Sequence, residues 1–205
     1  MFNRYLLLTT LLLNSLAQAA STVDLSVSGR VTPSACEPSL SNGGVYDVGK
    51  IAAKDLNAHQ PTRLPPHSLK LAIDCQASTL LALEPRDNRQ GSSYSGDQSH
   101  SFGLGLINDN QRLGALNLSL DSAVADGVEM YTLISSGPTT WAPSTILSPH
   151  ALSAFTPIRN VTVPAPVQQL SALLSIQPII APTDTLLLTK EAPIDGSVTL
   201  TVKYL

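Results

Sequence analysis

The amino-acid sequence predicts an all-β domain, most consistent with a β-sandwich. Apolar and polar residues alternate in several short segments, most clearly at 22–31, 68–75, 116–120 and 198–205. This period of two is typical of strands with one buried face. The 15 prolines and 12 glycines interrupt the chain too often for long helices, and a helical alternative remains only for short segments such as 165–174. Turn signals between many short strands favour a sandwich or a barrel.

The first 19 residues have the pattern of a secretory signal peptide. Arg4 precedes an apolar run at 6–13, and Ala17-Gln18-Ala19 supplies the small residues of a cleavage site after Ala19. The run is shorter than the ~20 residues that span a bilayer, although a retained anchor is the alternative. We therefore predict a signal peptide at 1–19, an N-terminal extension at 20–34 and one domain at 35–205, with no membrane span after cleavage.

Composition and cysteine content narrow the class of protein. The formal charge of −3 and the absence of Lys/Arg clusters argue against nucleic-acid binding by a basic face. Cys36 and Cys75 are the only cysteines, and a pair in an exported protein predicts one disulfide. Metal binding is the competing interpretation, but the two cysteines are far apart and no histidine lies at ligand spacing, so no metal is expected.

The strands are predicted in order from the alternation. In the extension, Val23, Leu25, Val27 and Val31 share one face with Gly29, and Pro33 ends the pattern. After a turn at 41–44, strand patterns follow at 45–51, 68–75, 102–107, 116–120, 130–134, 161–166, 170–180, 186–188 and 198–205, the segment 170–180 being interrupted at Gln177-Pro178. The polar segment 86–100 and the segment 135–149 are predicted as loops, with Trp141 in the core rather than in a carbohydrate-binding patch.

No catalytic motif is visible in the sequence. The chain has no Gly-x-Ser-x-Gly elbow, no His-Glu-x-x-His and no phosphate-binding glycine loop, and its acidic residues are scattered. His59 and His67 lie in a proline-rich segment and are expected to be solvated. We therefore predict a protein that is not an enzyme, with no catalytic residue and no cofactor.

Several segments, in the correct order, resemble chaperone–usher fimbrial subunits (pilins). A strand near the mature N-terminus precedes Cys36, and Cys75 follows 39 positions later at the end of the segment 69–75. Between the cysteines, Tyr46-Asp47-Val48-Gly49-Lys50-Ile51 is similar to a pilin strand, and the chain ends in alternating apolar residues with a penultimate tyrosine. The central part, about 84–190, more closely resembles fimbrial-like exported proteins of unassigned role.

The resemblance implies an immunoglobulin-like sandwich that lacks its last strand and is completed by a donor strand. It also implies a structural fimbrial subunit that contributes to adhesion, exported through the periplasm to a fimbrium on the cell surface. Its partners would be a periplasmic pilus chaperone, an outer-membrane usher and neighbouring fimbrial subunits. The donor strand would be the face of Val23, Leu25, Val27, Gly29 and Val31. The edge that binds the chaperone or a partner would carry Val198, Leu200, Val202 and Tyr204.

An alternative remains open for each of these strands. The N-terminal pattern equally fits a first strand that pairs within its own domain, and the C-terminal pattern equally fits an ordinary core strand. In that case the protein would be a self-contained immunoglobulin-like binding module, secreted or periplasmic. The two functions differ in whether the isolated domain is complete: a fimbrial subunit needs a donor strand, and a self-contained module does not.

Overall fold

The computed structural model of the protein describes residues 25–28, 35–94, 99–137 and 139–205. The chain divides into two units, Met1–Val31 and Thr32–Leu205. Of the first unit only residues 25–28 are described; they contain no strand, and Leu25 and Val27 are 88% and 87% exposed. The predicted donor residues Val23, Gly29 and Val31 lie outside the described residues.

The second unit is all-β, as the sequence predicted. Its strands, in chain order, are β1 (Cys36–Leu40), β2 (Thr62–Arg63), β3 (His67–Thr79), β4 (Leu81–Asp87), β5 (Phe102–Gly103), β6 (Leu106–Ile107), β7 (Gln111–Arg112), β8 (Gly114–Ala125), β9 (Val128–Ser135), β10 (Ala142–Pro143), β11 (Leu152–Thr156), β12 (Val167–Ile180) and β13 (Val198–Tyr204). Three short 3-10 turns lie at Ser41–Gly44, Ala53–Asp55 and Thr183–Thr185, and the described residues contain no α-helix.

The strands form two antiparallel layers joined through β9. The strand order is β1-β3-β12-β8-β9-β11-β4-β13, with β2, β5 and β10 attached to β12, β8 and β9. The first residues of β9, 128–130, pair with β8, and residues 131–135 pair with β11. Strand β9 therefore passes from one layer to the other, and β1 and β13 stand at the two ends of the strand order.

The core fills the space between the layers. The inward-facing residues of β3, Leu69, Leu71 and Ile73, alternate with more exposed neighbours and are at most 3% exposed. A second, smaller cluster of Ala82, Leu133, Trp141 and Ala154 packs separately. The prediction that Trp141 is a core residue is therefore confirmed, since its side chain is 9% exposed.

Several predicted elements differ from the structure. The segments 45–51, 161–166 and 186–188 form no strands, whereas several strands have no counterpart in the prediction, among them β1, β11 and β10, the last within the predicted loop 135–149. The chain around Gly49 turns because the Asp47 side-chain oxygen accepts a hydrogen bond from the Gly49 N–H at 2.8 Å and Gly49 adopts φ +74°. That φ is readily adopted by glycine and breaks the alternation that the sequence suggested.

The long strand β12 runs without a break through Pro178, contrary to the predicted interruption and to the helical alternative at 165–174. Pro178 pairs with Leu116 in register, and its carbonyl accepts a hydrogen bond from the Leu64 N–H at 3.0 Å. The proline is tolerated because on this side of β12 it falls between the pairing with β3, which ends at Ile176, and the pairing with β2, which begins at Ile179, so the ladder needs no N–H there.

Candidate functional site: an apolar groove between two edge strands

The edge strands β1 and β13 approach each other at one end only. Among the described residues, β1 pairs with β3 alone and β13 with β4 alone. At one end the Cys36 N–H donates a hydrogen bond to the Tyr204 hydroxyl oxygen at 3.1 Å, which joins the two edges. Further along there is no pairing between them, so the two layers are left open on this side.

The opening is a groove of about 920 Å³. Leu40 of β1 lines one side, and Val198 and Leu200 of β13 line the other. The floor consists of core-facing residues of β3, β8 and β12, namely Leu69, Leu116, Leu118, Leu174 and Ile176. The volume is at the upper end of the ~300–1,000 Å³ typical of small-molecule pockets, but the floor is a sheet face.

Two irregular segments, 45–56 and 186–197, border the mouth of the groove. Both place partly buried hydrophobic side chains against the core, including Tyr46, Val48, Leu188 and Ile194. An ion pair between Lys50 Nζ and Glu191 Oε1 at 2.9 Å joins the two segments. Its side chains are 90% and 79% exposed, so this pair adds little to stability.

The segment before β13 is anchored by a bidentate ion pair. Arg89 donates from Nε to Asp195 Oδ2 and from Nη2 to Asp195 Oδ1, both at 2.8 Å. The hydrogen bond from Arg89 holds the pKa of Asp195 below its ordinary value of 3.8. Next to it, a Cβ on Gly196 would lie 2.9 Å from a methyl carbon of Leu104, so the chain passes close to the groove floor. Arg89 thereby fixes where β13 begins.

The predicted disulfide is confirmed, and it holds one side of the groove. Cys36 and Cys75 are bonded and are directly opposite each other in the pairing of β1 with β3. The intervening residues of β1, at 37–39, are exposed, so the strand buries little apolar surface of its own. The disulfide and the β3 hydrogen bonds therefore carry most of the attachment of β1.

The C-terminal residues of the predicted edge lie in β13, at one end of the strand order. Val198, Leu200 and Val202 are partly buried and pack on the core, alternating with more exposed neighbours. Tyr204, by contrast, is 41% exposed and holds the closed end through its hydroxyl. Their role in binding a chaperone or partner stays a prediction.

Sequence reasoning missed the two bordering segments and the Arg89 anchor. Alternation at Leu116 and Leu118 indicated a buried face, but no local pattern marks part of that face as open, because this depends on where distant strands pair. Arg89 and Asp195 are 106 positions apart. In the part of the chain that the structure describes, no His, Cys, Asp or Glu cluster could hold a metal, and no helix is long and apolar enough to span a membrane.

The chain is similar to two proteins of Escherichia coli (strain K12). It is 29% identical to "Uncharacterized protein YhcF" over 126 residues, covering 52% of this chain and 53% of the relative. It is 29% identical to "Protein GltF" over 129 residues, covering 53% and 51%. The chain thus spans about half the length of the curated relatives it matches. A family model described as a protein of unknown function (DUF1120) matches residues 25–101, which include both cysteines and strands β1 to β4.

Proposed function

We propose that the protein is a structural subunit of a bacterial fimbria, assembled by the chaperone–usher pathway through donor-strand exchange and contributing to adhesion. The observation that carries the proposal is the apolar groove between β1 and β13, two strands with no shared pairing along most of their length. An extended segment placed there would pair with both edges and cover the groove floor.

The groove is physically suited to a strand. Edge strands present unpaired N–H and C=O groups, which favour addition of another strand and cause aggregation if they are left bare. Here two such edges flank one apolar floor, so a single strand would satisfy both. A small apolar molecule could cover the floor but could not bond to either edge.

The N-terminal extension has the composition of such a strand. Residues 22–31 would extend ~33 Å at ~3.3 Å per residue, compared with ~23 Å for the seven residues of β13. Its apolar face would cover the floor, while Asp24 and Arg30 on the other face would stay in water.

The same proposal covers partners and location. A periplasmic chaperone would fill the groove first, the outer-membrane usher would direct assembly, and the extension of a neighbouring subunit would replace the chaperone strand. The disulfide is typical of an exported protein, which supports a route through the periplasm to a fimbrium. We propose a binding and structural role without catalysis or a cofactor.

A self-contained immunoglobulin-like module, secreted or periplasmic, is the second candidate. It is favoured by the bordering segments, because Tyr46, Val48, Leu188 and Ile194 already cover part of the groove. If this cover were sufficient, no donor strand would be needed.

A peptide-binding experiment separates the two functions. Residues 20–205 carrying L25D and V27D retain the groove but have a disabled extension, and a fluorescent peptide of residues 20–33 serves as the probe. Saturable binding by fluorescence anisotropy is expected, with none for a peptide carrying the same two aspartates. Leu200→Arg in the groove should weaken binding by at least tenfold, whereas Thr199→Arg on the exposed face should not. Absence of binding to the native peptide would leave the self-contained module.

A further inference from the structure

One end of the domain carries half of the exposed large hydrophobic side chains that the structure describes between residues 35 and 205. We call it the cysteine end, because β1 begins there at Cys36. The six side chains are between 37% and 66% exposed: Leu80, Val128, Ile158, Val163, Tyr204 and Leu205. Single exposed apolar residues need no explanation, but a concentration at one end indicates an interaction surface.

The strand register places these residues together. Tyr204 pairs with Leu81, and the Leu205 N–H donates to the Leu80 carbonyl at 3.1 Å. On the other side of β4, the pairing of Ser153 with Leu83 brings the last residue of β11 beside Leu80.

The loop of Ile158 and Val163 belongs to the same end. Residues 157–166 connect the end of β11 to the start of β12, where Val167 pairs with Thr79. Val128 is the first residue of β9, and Tyr131, three residues later, pairs with Thr156 at the end of β11. The start of β9 therefore lies at the cysteine end as well.

The opposite end, at the mouth of the groove, has a second apolar set. We call it the groove end, and its exposed residues are Val45, Leu106 and Leu187, at 50–61% exposure. Val45 and Leu187 are sequence neighbours of the groove-lining Tyr46 and Leu188. Leu187 is held in place because its carbonyl accepts a hydrogen bond from Asn108 Nδ2 at 2.8 Å and its N–H donates to Gln111 Oε1 at 3.0 Å.

The chain connection brings these two ends together when one copy donates to another. β1 runs from the cysteine end to the groove end and β13 runs the opposite way, so a strand between them is antiparallel to one and parallel to the other. The hydrogen bond from the Cys36 N–H to the Tyr204 hydroxyl closes the cysteine end, so we expect the strand to run toward the open end, from Tyr204 toward Val198 and antiparallel to β13. It would leave the acceptor at the groove end. From Val31 to Cys36 there are five residue steps, which span at most ~17 Å. The cysteine end of the donating copy must then lie close to the groove end of the accepting copy.

We propose that the cysteine end of one copy docks on the groove end of the next, so that Ile158, Val163 and Leu80 cover Val45, Leu106 and Leu187. This inference rests on the proposed donor-strand function and adds a second contact to it. The contact is heterologous, because the two surfaces differ, and it therefore propagates head to tail instead of closing into a dimer. The short connection raises the effective concentration of the two surfaces, so that even a small contact becomes occupied.

The test compares association of the chain with uptake of the peptide. In residues 20–205, I158D/V163D alters the cysteine end and L106K alters the groove end at a residue outside the segments that border the groove, while I146D alters an exposed apolar residue outside both ends. Association is measured by sedimentation velocity, and peptide uptake by anisotropy in the L25D/V27D background. We expect each end variant to associate at least tenfold more weakly with unchanged peptide affinity and melting temperature, and I146D to behave as the native chain.

Mixing the two end variants gives an independent readout. The acidic cysteine end should bind the basic groove end, so the mixture should regain association that weakens with added salt. Native association in both end variants would overturn the docking proposal while leaving the donor-strand function intact. Loss of peptide uptake by the native groove would instead refute the donor-strand function and the docking with it.

Discussion

Removal of the disulfide should destabilise the domain strongly, because it closes a long loop. The bond joins residues 39 positions apart. In the chain-entropy model this closure contributes about 4 kcal/mol to the free energy of unfolding. For a domain of this size, 1 kcal/mol shifts the Tm by about 2–4 °C, so C36A/C75A should melt about 8–16 °C below the native protein.

Loss of the disulfide should also weaken peptide binding in the groove, since few other interactions attach β1 to the domain. Residues 37–39 are exposed, so the strand would retain mainly its hydrogen bonds to β3. Thermal unfolding followed by circular dichroism, with and without dithiothreitol, measures the shift, and peptide anisotropy measures the groove. Dithiothreitol should lower the native Tm and leave that of C36A/C75A unchanged. A shift of only about 1–2 °C, with unchanged peptide affinity, would refute this account of how β1 is attached.

Three further changes test the structure elsewhere. Asp195→Asn removes the Arg89 ion pair and should lower the Tm slightly at pH 7. Because the pKa of Asp195 is lowered on folding, the contribution of this carboxylate to stability is present above pH 3.8 and is lost as the pH falls through the folded pKa. The Tm values of the native protein and the variant should therefore converge in acid. Gly114→Ala places a Cβ 2.2 Å from a carbonyl of β12 and should cost about 1–3 kcal/mol in urea unfolding, whereas Gly137→Ala, with open space around it, should be neutral. Ser153→Ala removes a fully buried hydroxyl with no hydrogen-bond partner among the described residues, and should leave the urea midpoint unchanged or raise it.

The local signals in the sequence predicted the strands that have one buried face. Leu69 to Ile73, Leu116 to Leu120 and Val198 to Val202 alternate as expected and lie in β3, β8 and β13. Turns were predictable where residues tolerate positive φ: Asn108 and Asp109 adopt +48° and +70°, and Asp126 adopts +53°. The alternation of a strand and the conformation of a turn depend mainly on neighbouring residues, so they can be predicted from the sequence.

The elements that sequence reasoning missed depend on distant contacts. The segment 45–51 has a strand-like pattern, but its apolar residues pack on a core that β3, β8 and β12 provide. Short β11 is buried through pairing with β4 and β9, and it carries no alternation of its own that stands out. The groove itself is a tertiary feature, because it exists only where two edge strands fail to meet.

The most direct test of the account is amide hydrogen exchange on residues 20–205 carrying L25D/V27D, with and without the peptide of residues 20–33. Strand insertion gives hydrogen bonds to two edges at once, so exchange should slow at amides of both β1 and β13, Cys36–Leu40 (in which Pro38 has no N–H) and Val198–Tyr204. The Ala142 N–H of β10 should exchange as before. Binding that slows exchange only in the bordering segments, or in neither edge strand, would contradict the claim that the groove accepts a strand.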